Sequence, residues 1–195
     1  MIESENKKLL ESNNKYLSIG ITEDGKPRGI ISVPWEKTAH AHNMKLPDVY
    51  ITPDDLNDDE LLKTLHGYRV IGCYIYAPLD SYDFLSSFTE LRDLYITKAE
   101  NLTSLDFAKD LRECDMLVLE GARLDNLDVI CDIKKSVKGI FGGFRCLALF
   151  DCEIKDISNL CDVSFSELII GCPKDKNEQP RWRDVPAHTF RYYEL

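Results

Sequence analysis

The sequence predicts an α/β solenoid, a coil of stacked strands joined by short turns, and three observations predict it. A short apolar pattern, Leu-x-x-Leu-x-Leu with other apolar residues allowed, recurs six times. It reads Leu46-Val49-Ile51, Val70-Cys73-Ile75, Leu91-Leu94-Ile96, Cys114-Leu117-Leu119, Phe144-Leu147-Leu149 and Phe165-Leu168-Ile170. The middle residues stand 24, 21, 23, 30 and 21 residues apart. A period of roughly 20–29 residues marks units that each form one strand and bury their apolar side by stacking on the next. The third observation is bulk: 195 residues, 44% hydrophobic and 30% charged, suit a single repeat array with caps.

The chain divides into residues 1–45, a cap; 46–173, the array of about six units; and 174–195, a second cap. Residues 1–15 are polar with Leu9 and Leu10 as an apolar pair, which reads as a short helix or a frayed end. Tyr16–Ile21 and Gly29–Val33 alternate apolar residues on either side of Asp24-Gly25, the pattern of a β-hairpin that closes the open end of the array.

The array starts at Leu46. Thr52-Pro53-Asp54-Asp55 reads as a helix start, with a capping hydroxyl, proline in the first turn and acids at the positive end of the dipole. Leu56, Leu61, Leu62 and Leu65 supply its apolar face up to Gly67. Later crossovers are shorter and predict tighter turns. The interval of 30 marks an insertion between Ile130 and Phe144, where Ile133–Lys138 suggests a turn of basic helix and Gly139–Gly143 a loop. That glycine cluster matches neither the dinucleotide fingerprint nor the phosphate-binding loop. After Pro173 the chain turns polar, then aromatic and basic; no further repeat is legible, and the tail is expected to bury Trp182 and Phe190 on the last unit.

The fifth unit, Phe144-x-x-Leu147-x-Leu149-x-x-Cys152-x-Ile154-x-x-Ile157-x-x-Leu160, has an apolar residue at every position of the leucine-rich repeat pattern. Over residues 46–173 the chain resembles the short-repeat class of that family. The resemblance implies parallel strands on a concave face, short helices or 3₁₀ turns on the convex face, and a role in protein–protein recognition through the concave sheet. One column departs from the family. Where an Asn or Cys usually bridges adjacent turns, this chain has Asp54, Pro78, Ala99, Ala122, Cys152 and Pro173, and only Cys152 fits.

Side chains alternate along a strand, so the residue between the two inward apolar positions faces the concave side. That column reads Tyr50, Tyr74, Tyr95, Val118, Ala148 and Ile169; the column two residues on reads Thr52, Tyr76, Thr97, Glu120, Phe150 and Gly171. A solvent face would be polar there. Tyr50, Tyr74, Tyr76, Tyr95, Met116, Val118, Phe150 and Ile169 are therefore the candidate partner-binding residues, since broad apolar, aromatic stripes usually mark interaction sites. The competing readings are cover by the chain's own termini and a homodimer.

Composition narrows the function classes. A net charge of −10 argues against nucleic acid, which needs clustered Lys and Arg, and suits a basic protein partner. An inhibitor or immunity-type protein that neutralises a basic toxin or nuclease is the alternative reading. No apolar run reaches the roughly 18 residues of a membrane span, and the N-terminus lacks the pattern of a secretory signal. Seven cysteines without a Cys-x-x-Cys pair read as reduced, mostly structural thiols in a cytoplasmic protein. Neither cofactor nor metal is expected: His40-Ala41-His42 has no third ligand at a recognised spacing, and the acidic run Asp54–Glu60 lacks the alternation of a calcium loop. No nucleophile–base set is legible, so the expectation is a binding protein and not an enzyme.

Overall fold

The second and third positions of each of the six apolar patterns lie on a strand, and all six strands belong to one sheet. The computed structural model describes residues 16–27, 48–136, 144–172 and 179–194. Among them the fold is mixed α/β, with few helices and an eight-stranded sheet in which every neighbouring pair is parallel. In chain order the elements are β1 (Tyr16–Ile21), β2 (Val49–Ile51), α1 (Asp59–His66), β3 (Arg69–Ile75), β4 (Asp93–Ile96), β5 (Met116–Glu120), β6 (Arg123–Asn126), α2 (Asp128–Ser136), β7 (Phe144–Phe150), β8 (Glu153–Asp156), β9 (Phe165–Cys172) and β10 (Ala187–Glu194). The large sheet runs β10-β9-β7-β5-β4-β3-β1-β2, and β6 and β8 form a separate two-stranded ribbon.

The register explains why the repeat pattern recurs. Cys73 pairs with Leu94, Leu94 with Leu117, Leu117 with Leu147 and Leu147 with Leu168, so the middle apolar residues form a continuous row. All five are at most 2% exposed and belong to one core, as do Ile75, Ile96, Leu119, Leu149 and Ile170 one row further on. The crossovers seal this core from one side. Leu61 and Leu65 of α1, Leu85 of the 3₁₀ turn Asp83–Ser87, Phe107 of the turn Asp106–Asp110, Ile130 of α2 and Leu160 of the turn Ser158–Asp162 all pack into it.

Several details differ from the sequence expectation. Tyr16–Ile21 is an interior strand, paired in parallel with β2 on one side and β3 on the other. The first repeat strand, β2, is thereby separated from the second. The reason is chemical: Leu17, Ile19 and Ile21 alternate like the repeat strands and continue the same core rows. The second arm of the expected hairpin lies outside the described residues, as do residues 1–15, His40, His42 and Gly139–Gly143. The tail adds another strand, β10, parallel to β9, with Phe190 opposite Leu168; Trp182, in the 3₁₀ turn Gln179–Asp184, is buried in the core as expected. The helix start shifts too. Thr52 and Asp55 bond each other, with the Thr52 amide and hydroxyl donating to the Asp55 carboxylate at 2.8 Å, but they close a 3₁₀ turn. Helix α1 is capped by Asp58, which accepts from the amides of Glu60 and Leu61. Of the basic turn expected at Ile133–Lys138, residues 133–136 end a helix that begins at Asp128, and the rest lies outside the described residues.

A recurring backbone device ends the central strands. Lys98, Gly121 and Asp151 each lie two residues beyond the last core residue of β4, β5 and β7, and each has positive φ (51°, 81° and 47°). The turn directs amides onto the neighbouring strand: Ala99 donates to the Glu120 carbonyl, Gly121 to Phe150 and Asp151 to Gly171, all within 2.8–2.9 Å. The Cys152 thiol donates to the carbonyls of Leu119 and Phe150, so it bridges neighbouring strands, and burial pushes its pKa up to about 12.

A left-handed backbone strains any residue with a Cβ by about 1 kcal/mol. Gly121→Ala is therefore expected to lower stability by about 1 kcal/mol, read as a lower urea midpoint at unchanged slope. An unchanged midpoint would mean that the turn relaxes at no cost.

Candidate functional site

The residues singled out from the sequence do converge on the other face of the sheet. Tyr74 pairs in register with Tyr95, Tyr95 with Val118, Val118 with Ala148 and Ala148 with Ile169. With Tyr76, Met116, Cys146 and Phe150 they form a second apolar cluster, distinct from the core beneath the crossovers and flanked by Tyr193. The Tyr76 and Tyr95 rings are 5.5 Å apart and tilted by 59°. Tyr50 is not part of it, because Gly20 of β1 stands between Tyr50 and Tyr74 in the register.

Burial is the decisive observation. Every cluster member is at most 8% exposed, Val118, Ala148 and Ile169 are fully buried, and Tyr50 is 9% exposed. All eight candidate residues are thus enclosed within the isolated chain. As the fold stands, none presents a side chain to a partner.

Gly72 makes room for the largest of them. A Cβ at Gly72 would fall 2.8 Å from the Tyr74 ring and 3.1 Å from the Ser18 hydroxyl, so the ring lies across a position that only glycine leaves open. The Tyr74 hydroxyl is buried without a hydrogen-bond partner. Burial, then the negative charge of Asp93, holds its pKa far above that of an ordinary tyrosine.

Charges border this face, and alternation on single strands gave no sign of them because they meet across strands. Arg145, at the start of β7, bonds Asp93 of β4 and lies 3.1 Å from Asp115, just before β5. Burial raises the pKa of both carboxylates, and the guanidinium opposes that shift. Farther along, Arg191 of β10 is 2.7 Å from Glu167 of β9, whose side chain is 4% exposed. Two thiols of the sheet are enclosed as well, Cys146 on this face and Cys73 in the first core, and burial pushes both up to about 12.

On the outer side, His66 Nε2 is 2.8 Å from the Ser87 hydroxyl. That hydroxyl also lies 2.6 Å from the Phe84 carbonyl, to which it donates. No cluster of three or more metal-ligating side chains occurs among the described residues, and no helix there is long and apolar enough to cross a membrane. A groove of about 420 Å³ runs between the turn Asp106–Asp110, β6 and α2, lined by Asp106, Lys109, Asp125, Asp128 and Asp132 among others. Lys109 pairs with Asp106 at 2.5 Å, Lys155 with Asp125 at 2.6 Å, and Asn159 donates to Asp128 at 2.6 Å. Carboxylates outnumber cations along it.

No family model, curated protein or solved structure matches this chain.

Two substitutions test the electrostatics of the second face. Removing an unpartnered buried hydroxyl relieves a desolvation cost of about 1–3 kcal/mol, so Tyr74→Phe is expected to raise the denaturation midpoint; a fall would reveal a partner for that hydroxyl. Arg145→Met leaves two half-buried carboxylates facing each other. A carboxylate whose pKa is raised by folding destabilises the fold above its unfolded pKa and ceases to do so as pH falls through the raised value. The variant is therefore expected to be less stable at neutral pH, with the deficit shrinking as pH approaches 3.8, the ordinary Asp value. A deficit independent of pH would exclude the carboxylates as its cause.

Proposed function

We propose that this chain is a recognition scaffold of the leucine-rich repeat type, a solenoid whose partner is a basic protein bound from outside the sheet. The observation that carries the reading is the repeated unit itself. Strands in continuous register, 3₁₀ crossovers and a left-handed turn at the same place in successive coils make a stiff frame, and stiff frames lose little entropy on binding. The net charge of −10 selects a basic partner by steering it.

Burial of the tyrosines moves the contact away from the concave face. Replacing Tyr74 and Tyr95 by small residues would test folding and not recognition, because truncating a buried aromatic costs about 3–5 kcal/mol. The acidic groove at Asp106, Asp125, Asp128 and Asp132 is the concave feature of the outer surface that matches the charge argument.

The test uses a lysine- and arginine-rich peptide titrated into the full chain by calorimetry, with amide shifts mapping the contact. Three exposed charge contacts at roughly 0.5 kcal/mol each amount to about tenfold in affinity. Asp125→Asn, Asp128→Asn and Asp132→Asn combined are expected to weaken binding by about that factor and to reduce its salt dependence. Equal binding by the triple variant, or shifts confined to other surfaces, would sink the proposal.

A further inference from the structure

The large sheet is open, and its two outermost strands differ. β2 ends one side with Val49, Tyr50 and Ile51, none more than 9% exposed. β10 ends the other side with eight residues, Ala187–Glu194, among them the exposed His188, Thr189 and Tyr192. An edge strand carries a row of backbone amides and carbonyls able to pair with another chain. Proteins usually blunt such an edge by shortness, proline, a bulge or charge. β10 contains no proline, and its pairing with β9 runs unbroken from Thr189 to Glu194. Its one permanent charge before Glu194, Arg191, is engaged with Glu167.

The register shows which groups point outward. The Phe165 amide donates to the Pro186 carbonyl. Alternation along a parallel ladder then turns the backbone of His188, Phe190 and Tyr192 toward β9, and that of Thr189, Arg191 and Tyr193 away from the sheet. A twofold axis through Phe190 would set Thr189 opposite Arg191 of a second copy as a hydrogen-bonded pair. It would bring Phe190 against its own copy and His188 against Tyr192, in the closer, non-hydrogen-bonded positions. No like charges meet in that register, whereas an axis through Arg191 would oppose two guanidinium groups. Charge selects this edge as well. The chain carries −10, yet no carboxylate lies between Ala187 and Tyr193, so two acidic molecules can approach here without acid facing acid.

We propose that the outer edge of β10 pairs antiparallel with β10 of a second copy, joining two eight-stranded sheets into one. A single edge strand is small beside a standard interface, so the dimer belongs to the weak, reversible class. This surface lies apart from the acidic groove, and the inference does not depend on the recognition proposal.

Sedimentation velocity of the full chain over a concentration series is expected to show a reversible monomer–dimer equilibrium. Thr189→Pro removes an outward amide and no bond to β9, a position where an edge strand accepts proline. It is expected to weaken the dimer by roughly tenfold or more, because each copy loses a hydrogen bond to the other. The urea midpoint of the monomer is expected to change little. Tyr192→Lys, at a side chain 44% exposed, places a charge beside the axis and is expected to weaken the dimer likewise. A chain that stays monomeric at the highest concentration at which it is soluble, or a dimer equally tight in both variants, would overturn the proposal. Should Thr189→Pro lose the fold, Tyr192→Lys decides alone.

Discussion

The structure depends on one constraint: all strands of the large sheet run the same way. A parallel strand cannot be followed by a tight hairpin, so every connection must travel back along the strand it has just left. Doing so, it covers the sheet. Here the returning segments carry Leu61, Leu85, Phe107, Ile130 and Leu160 into one core, and the helices and 3₁₀ turns exist because those residues need partners. Parallel sheets occur almost solely with both faces covered. The burial of Val118, Ala148 and Ile169 on the opposite face is the same rule met a second time.

Such a sheet has few polar features to fix its register, and a slip of one residue exchanges its faces. The charged groups at its border supply what the apolar rows lack. Arg145 reaches Asp115 beside β5 and Asp93 on β4, tying three strands at one end, and Arg191 ties β10 to β9 through Glu167. Half-buried ion pairs contribute little net stability, since desolvation offsets most of the attraction. Their effect is selective: a slipped strand would leave Asp93 or Glu167 buried without a counter-charge. The turn residues with positive φ act in the same sense, placing the amides after one strand against carbonyls of the next.

The six repeat strands were legible because their apolar rows are set by stacking, which leaves a period in the sequence. β1 and β10 were not legible as members of the sheet. Leu17-x-Ile19-x-Ile21 stands 30 residues ahead of the first repeat and opens on Tyr16, and Phe190-x-Tyr192 follows Leu168 by 22 residues with only the small Ala187 in the leading position, so both carry the pattern in a weakened form. Helix α1 was placed correctly by its leucines and misplaced at its start, because Thr52 and Asp58 are both good caps and only the packing decides between them. For the candidate site, the list of residues that share the second face was readable from alternation alone, except at Tyr50, where the interior position of β1 intervenes. What alternation does not encode is which face meets water.

That gap accounts for the difference between an expected docking surface and an observed core. An apolar residue at the outward position implies an exposed patch only if the second face is solvated, as in antiparallel sheets. Leu117-Val118-Leu119, Leu147-Ala148-Leu149 and Leu168-Ile169-Ile170 are uninterrupted apolar runs, the mark of strands enclosed on both sides. The tyrosines of β3 and β4 fit the same picture. Tyr74 takes up space beside Gly72, Gly20 and Ser18, small residues that leave volume to be filled. An aromatic ring kept for a partner would gain nothing from a glycine beneath it, whereas one packed into a core requires it. Among the described residues, the outer surface carries polar turns at the strand ends and carboxylates between the crossovers.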